Sequence, residues 1–191
     1  MHPWRDSVPW TAVRPAQGAR PDEAPLLAEL EALHREIDAL QTGHRCAGST
    51  VCCHFGLTGR EPFLTSIEWQ AVEHALARRG GPLGRTSRAR PLRGDAEGEQ
   101  ICPLLTREGR CAIYQDRPLG CRTYWCARAL RPHPVAPYLR RDLLRRVLDI
   151  AARHQPQGDC GRPLSQLMEE YQKPLTRARR PRRRRASADR G

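Results

Sequence analysis

The chain is 191 residues long, enough for one ordinary domain with irregular ends and too short for two full-sized ones. Hydrophobic residues make up 39% and aromatics 5%, so apolar burial alone is a thin basis for a fold of this size, and a further staple is expected. A net charge of +12 suggests nucleic acid as a partner, but eight arginines between residues 177 and 190, against the single acid Asp189, supply more than half of it.

Lys173 is the only lysine, so a general arginine bias accounts for much of the remaining basicity. The segment 173–191 reads as a disordered basic tail, able to attract phosphates without specificity. Met1-His2-Pro3-Trp4-Arg5-Asp6 offers no apolar core for a signal peptide. No apolar run approaches the roughly 18 residues that cross a bilayer. These readings give a cytoplasmic protein with no membrane contact, in which the eight cysteines meet a reducing environment. There, clustered thiols point to metal or redox chemistry and not to disulfides.

Residues 1–22, punctuated by Pro3, Pro9, Pro15 and Pro21, read as an irregular N-terminal arm. From Ala24 the apolar positions Leu26, Leu27, Leu30, Leu33, Ile37 and Leu40 recur at helical spacing, with Pro25 in the first turn and Gly43 as the stop. A loop then carries Cys46, Cys52 and Cys53. Thr65-Ser66-Ile67-Glu68 is a capping box that opens a second helix with Ile67, Ala71, Val72, Ala75 and Leu76 on one face, ended by Gly80-Gly81-Pro82.

Residues 81–99, rich in Gly and Arg, read as a flexible insert. Ile101–Leu105 and Cys111–Tyr114 flank the turn Arg107-Glu108-Gly109 and predict a short hairpin. A brief helix over Leu119–Leu130 would set Cys121 and Cys126 about one turn apart. A long helix after Pro137 is predicted to bury Leu139, Leu143, Leu144, Val147, Leu148 and Ile150, and Pro163 opens a last short helix with Leu164, Leu167 and Met168. The fold class is mostly α with a short β-hairpin, a small single metal-stapled domain over 23–172 with disordered ends.

Seven cysteines fall into two groups, Cys46/Cys52/Cys53 and Cys102/Cys111/Cys121/Cys126, with Cys160 apart in a Gly-rich loop. A thiolate-rich shell suits zinc or iron–sulfur and not magnesium or calcium. The intervals match neither paired zinc knuckles nor the common ferredoxin runs, so spacing leaves the metal open. Arg45, Arg110 and Arg122 adjoin cysteines and could donate to sulfur, while His44 and His54 flank the first group as loop residues that could also ligate. Glu68 and Glu73 read as helix-surface and capping residues, and no Ser/His/Asp or paired-carboxylate arrangement is recognisable.

Cys102-Pro103-Leu104-Leu105, Gly109-Arg110-Cys111-Ala112-Ile113-Tyr114 and Arg117-Pro118-Leu119-Gly120-Cys121-Arg122-Thr123-Tyr124-Trp125-Cys126 resemble the second half of the YkgJ-like cysteine-cluster family. That family is also described as the CxxCxxCC, zinc- or iron-chelating, domain. Cys46-x2-Ser49-x2-Cys52-Cys53 resembles its first half, with Ser49 standing where the family has its second cysteine. Cys160, His54 or His44 could replace the missing ligand, or the second group could complete the site.

The resemblance implies metal chelation by Cys46, Cys52, Cys53, Cys102, Cys111, Cys121 and Cys126, as an iron–sulfur cluster or as zinc. Some relatives act as flagellin lysine methylases, and nothing in this chain carries that activity over. Three functions therefore compete: an iron–sulfur protein in a redox, sensing or accessory role with a protein or redox partner, a structural zinc-binding interaction module, and a thiol enzyme. The last is the least natural, since a vicinal Cys52–Cys53 disulfide is strained and resolving chemistry prefers a spaced pair.

Overall fold

In a computed structural model of the chain, residues 23–41, 50–84, 100–124 and 135–178 are described, with side chains up to 173. The sequence expectations for the arm, the tail beyond 178, most of the insert, His44, Arg45, Cys46, Ser49 and Cys126 lie outside these residues. Among them are six helices: α1 (Glu23–Leu40), α2 (Phe55–Thr58), α3 (Ser66–Arg78), α4 (Leu119–Arg122), α5 (Pro137–His154) and α6 (Leu164–Ala178). Two strands, β1 (Phe63–Leu64) and β2 (Arg162–Pro163), pair antiparallel with Phe63 opposite Pro163 and Leu64 opposite Arg162. No helix is long and apolar enough to cross a membrane among the described residues.

Helix α3 divides the interior because its apolar residues point two ways. Ile67 packs with Leu30, Leu33 and Ile37 of α1 and with Leu143, Val147 and Ile150 of α5. Val72, Ala75 and Leu76 pack with Phe55, Leu104, Ile113 and with Leu164, Leu167 and Met168 of α6. The three long helices thus form one apolar layer, and the cysteine-bearing segments are wrapped against the second. Leu30, Ile37, Ile67, Val72, Leu76, Leu143 and Val147 are all fully buried, so truncating any of them leaves a cavity as well as losing transfer energy.

The mostly helical class with a small antiparallel pair matches the sequence reading, but the strands come from other residues than those predicted. Around Arg107–Gly109 the hairpin consists of one bridge, Leu105 to Cys111, closed by the Thr106 and Ala112 amides on the carbonyls of Arg110 and Leu104. Gly109 takes φ 72°, the left-handed conformation this turn requires. The ordered strand pair instead spans the chain, where Gly161 at φ 68° lets the 160s approach the Leu64 carbonyl.

Helix α4 spans Leu119–Arg122, with the Thr123 hydroxyl turned back onto the Leu119 carbonyl at 2.9 Å, and residues 125–130 of the predicted helix lie outside the described residues. On α5 the buried stripe differs from the predicted one: Leu144 and Leu148 are exposed and Ala151 is buried, where α5 packs against α1 and α3. Helix α6 also runs past 173, into the segment read as tail.

The three helices are cross-linked by polar groups at their ends. The Ser66 amide donates to Asp159 Oδ2 at 2.6 Å, and the Ser66 hydroxyl pairs with His154 Nδ1 at 2.7 Å. Arg146 and Arg153 on α5 form forked ion pairs with Glu36 and Glu29 on α1, both exposed and worth little individually.

His34 is different, being buried on α1 with Nε2 lacking a hydrogen-bond partner among the described residues. Burial, reinforced by the nearby Arg122 guanidinium and opposed by Asp38, lowers its pKa from 6.5 to about 4. A folded state that refuses the proton which the unfolded chain takes up near 6.5 loses stability as pH falls from there towards about 4. Urea denaturation at pH 7 and pH 4.5 should show His34→Leu losing about 2 kcal/mol less than the parent over that interval. Parallel losses in the two proteins would place the acid sensitivity elsewhere.

Candidate metal centre

Cys52 and Cys53 sit on a single 3₁₀ turn, Val51–Cys53, held by the Cys53 amide on the Thr50 carbonyl at 2.7 Å. Their sulfurs are 3.8 Å apart. The Cys102 amide donates to the Cys53 carbonyl at 2.7 Å, so the two cysteine groups, far apart in sequence, meet through the backbone itself. Cys111 is the bridge residue of the turn that follows, and Cys121 lies in the middle of α4.

Cys52, Cys53, Cys102, Cys111 and Cys121 all line one cleft of about 1080 Å³. Cys53, Cys102 and Cys111 also pack against the α3–α6 apolar cluster, which shields that side of the cleft from water. Cys160 is exposed and does not line the cleft. Cys46 and Cys126 are outside the described residues. Among the described residues, no three His, Cys, Asp or Glu side chains close around a single point as one ion would require.

Thiols crowded in this way resist ionisation. Its hydrogen bond to the Cys53 sulfur, followed by burial, pushes the Cys52 thiol far up. The neighbouring Cys102 thiol, outweighing the opposite effect of Cys52, raises Cys53 to about 12. Burial raises Cys111 and Cys121, and the other cysteines add to the effect at Cys121. A soft cation that binds these sulfurs would displace their protons, so its binding would strengthen with rising pH. The donor set is chemically suited to zinc or iron: five sulfurs and one apolar wall.

Arg117 is a cation near the thiols, its charge partly opposing the rise in pKa at Cys52, Cys111 and Cys121. Its guanidinium lies 3.7 Å over the Tyr114 ring, and its Nε donates to the Tyr114 carbonyl at 2.8 Å. This role had been expected of Arg45, Arg110 and Arg122. Arg110 is exposed, whereas Arg122 is buried and its donors go to oxygen: it pairs with Asp38 of α1 at 2.6 Å and donates to the carbonyls of Arg117 and Gln115. His54, expected as a loop residue, is buried beside Thr50, 3.4 Å from its hydroxyl, and does not line the cleft.

The placement of Cys121 depends on Glu68. Its Oε2 accepts the Thr65 amide at 3.1 Å and the Thr65 hydroxyl at 3.0 Å, which is the predicted capping box, while Oε1 accepts the Leu119 amide at 2.8 Å. One carboxylate therefore caps α3 and anchors the first residue of α4, two residues before Cys121. It is buried and not on the surface as the sequence reading had it, and burial holds its pKa above the ordinary value despite the three donors. Sequence spacing revealed the local half of this arrangement; the bond to Leu119 is fixed only by tertiary packing.

Glu68→Gln should lower stability by about 1–3 kcal/mol, since an amide presents a donor to a buried backbone N–H. It should also speed alkylation of Cys121, whereas Glu108→Gln on the exposed turn should leave the unfolding midpoint and the alkylation rate unchanged. Equal behaviour of the two variants would show that α4 holds its place without Glu68.

Residues 45–139 match the family model "CxxCxxCC: Putative zinc- or iron-chelating domain". No curated protein and no solved structure matches the chain. The matched segment contains both cysteine groups, including all five thiols of the cleft, and leaves out Cys160. Residues 45–139 belong to the CxxCxxCC family of metal-chelating domains.

Proposed function

We propose that the cleft holds an iron–sulfur cluster bound by cysteines from both groups, drawn from Cys46, Cys52, Cys53, Cys102, Cys111, Cys121 and Cys126, and that the protein serves a redox, sensing or accessory role. The observation that carries this reading is the convergence of five thiols from three separate segments on one cleft of about 1080 Å³, space for a polynuclear core and not only for a single ion. Such a core, when bound, supplies one-electron chemistry.

The chain's own contribution is to hold the sulfurs. The 3₁₀ turn aims Cys52 and Cys53, the Cys53–Cys102 backbone bond joins the two groups, and Glu68 with Arg122 fixes α4 under Cys121. Arg117 contributes positive charge beside the sulfurs, the type of nearby donor that tunes a cluster's potential. This reading implies a reducing compartment and a protein redox partner. Phosphate attraction by the arginines of 173–191 is a secondary, non-specific property.

One observation favours structural zinc as a second reading. Thiolates about 2.3 Å from zinc stand about 3.8 Å apart at tetrahedral corners, and the Cys52 and Cys53 sulfurs are 3.8 Å apart. Visible absorbance of anaerobically purified protein separates the two, since zinc is colourless and an iron–sulfur centre is brown.

Cys121→Ser should release most of the bound metal and lower the thermal midpoint, because lost metal binding becomes lost folding energy. Cys160→Ser, on an exposed loop away from the cleft, should retain the metal and change the midpoint little. Metal analysis and thermal unfolding of both variants check this. Complete metal loss from Cys160→Ser would make that residue the substitute for the cysteine missing at Ser49, and would remove it from the outside of the site.

A further inference from the structure

Four arginines with no carboxylate partner among the described residues line the same cleft as the thiols: Arg60, Arg110, Arg117 and Arg140. Both carboxylates on that lining have partners. Asp38 pairs at 2.6 Å with the buried Arg122, a fifth arginine of the lining, and Glu61 accepts the Ser165 amide at 2.6 Å. The lining therefore carries an excess of positive charge within a concave surface and not on a flat solvated face.

Two of these guanidiniums lie near aromatic rings, and one of them, Arg117, is stacked. Arg117 stacks on Tyr114, its Nε taken by the Tyr114 carbonyl, which leaves its terminal N–H groups for another acceptor. Arg60 lies 5.9 Å from the centre of the Tyr124 ring. A guanidinium held flat on a ring keeps its edge free for a bidentate grip on an oxyanion, at lower entropic cost than a freely rotating side chain. The cleft itself, at about 1080 Å³, is on the scale of clefts that enclose whole small molecules.

We propose that the arginine-lined mouth of this cleft binds a small anionic ligand of metabolite size, recognised through a phosphate or carboxylate group and seated over the thiols. This goes beyond metal binding, because the arginines belong to the rim and would engage the ligand whether or not a metal sits beneath. A macromolecular phosphate backbone is a poorer fit than a small molecule, since the charges converge in a concavity, while the basic run of the chain lies at its C-terminal end.

The test is calorimetric titration of the full-length protein, as purified, with inorganic phosphate and separately with succinate at low ionic strength, with metal content measured on each sample. The expected result is saturable one-to-one binding of at least one of the two, weakened about tenfold by Arg117→Gln and by Arg60→Gln. Arg107→Gln, exposed and off the cleft, should leave it unchanged. The preference between the probes tells a phosphate ligand from a carboxylate one. Should Arg117→Gln fail to fold, the exposed Arg60→Gln carries the comparison.

Absence of saturable binding overturns the proposal. Unchanged binding in the cleft variants does so too, by assigning the anion to the C-terminal arginines. Variants that lose metal yet keep anion binding would show that the arginines only offset the charge of the metal centre. A protein that binds the probe but contains no metal would defeat the metal reading and leave this one standing.

Discussion

Two helix N-termini share one buried carboxylate. Glu68 accepts the amide and hydroxyl of Thr65 at the start of α3 and the amide of Leu119 at the start of α4, so a helix of the apolar core and the short helix that presents Cys121 cannot shift independently. A carboxylate in such a place is held by its donors against a substantial desolvation cost, and removing those donors would leave a buried charge. Most of what orders the thiol cleft follows from this restraint. With α4 anchored at its first residue, Arg122 is directed inward, where its guanidinium meets Asp38 on α1 and the carbonyls of the preceding turn.

The cleft is consequently fixed from both sides while its own floor consists of thiols that resist ionisation. Backbone bonds bring Cys53 and Cys102 together irrespective of their side chains, and the packing of α3 against α6 walls in Cys111. The thiols are thus positioned by interactions that do not involve sulfur, and burial with thiol–thiol hydrogen bonding keeps them protonated, so a bound metal would have to displace their protons. Arg117 partly offsets this rise in pKa. A small chain with few aromatics gains from such an arrangement, since ligation would add stability that its apolar core supplies only modestly.

Periodicity located α1, α3, α5 and α6 correctly because each buries a continuous helical stripe, and the Thr65–Glu68 spacing announced a real cap. The sequence also grouped the thiols, and five of the seven proposed ligands line the same cleft. What it missed shares one physical origin: contacts made across long loops. Nothing local indicates that Phe63–Leu64 will pair with Arg162–Pro163, that Glu68 will reach Leu119, or that Arg122 will pair with Asp38. Leu144 and Leu148 fit the helical stripe equally well on paper, yet both are exposed once α5 packs against α1 and α3. Arg117 could have been singled out, as it precedes Pro118 within the cysteine motif, yet in a chain this rich in arginine its neighbours in sequence looked just as suitable.

The central claim is that cysteines from both sequence groups belong to one centre, and a thiol footprint tests it most directly. Metal-loaded protein and chelator-treated protein would be alkylated under identical anaerobic conditions and mapped by mass spectrometry. The account predicts that Cys52, Cys53, Cys102, Cys111 and Cys121 are protected together when metal is present and lose protection together on chelation, while Cys160, exposed and off the cleft, reacts at the same rate in both states. Protection confined to one group, with the other reacting at the same rate before and after chelation, would contradict it.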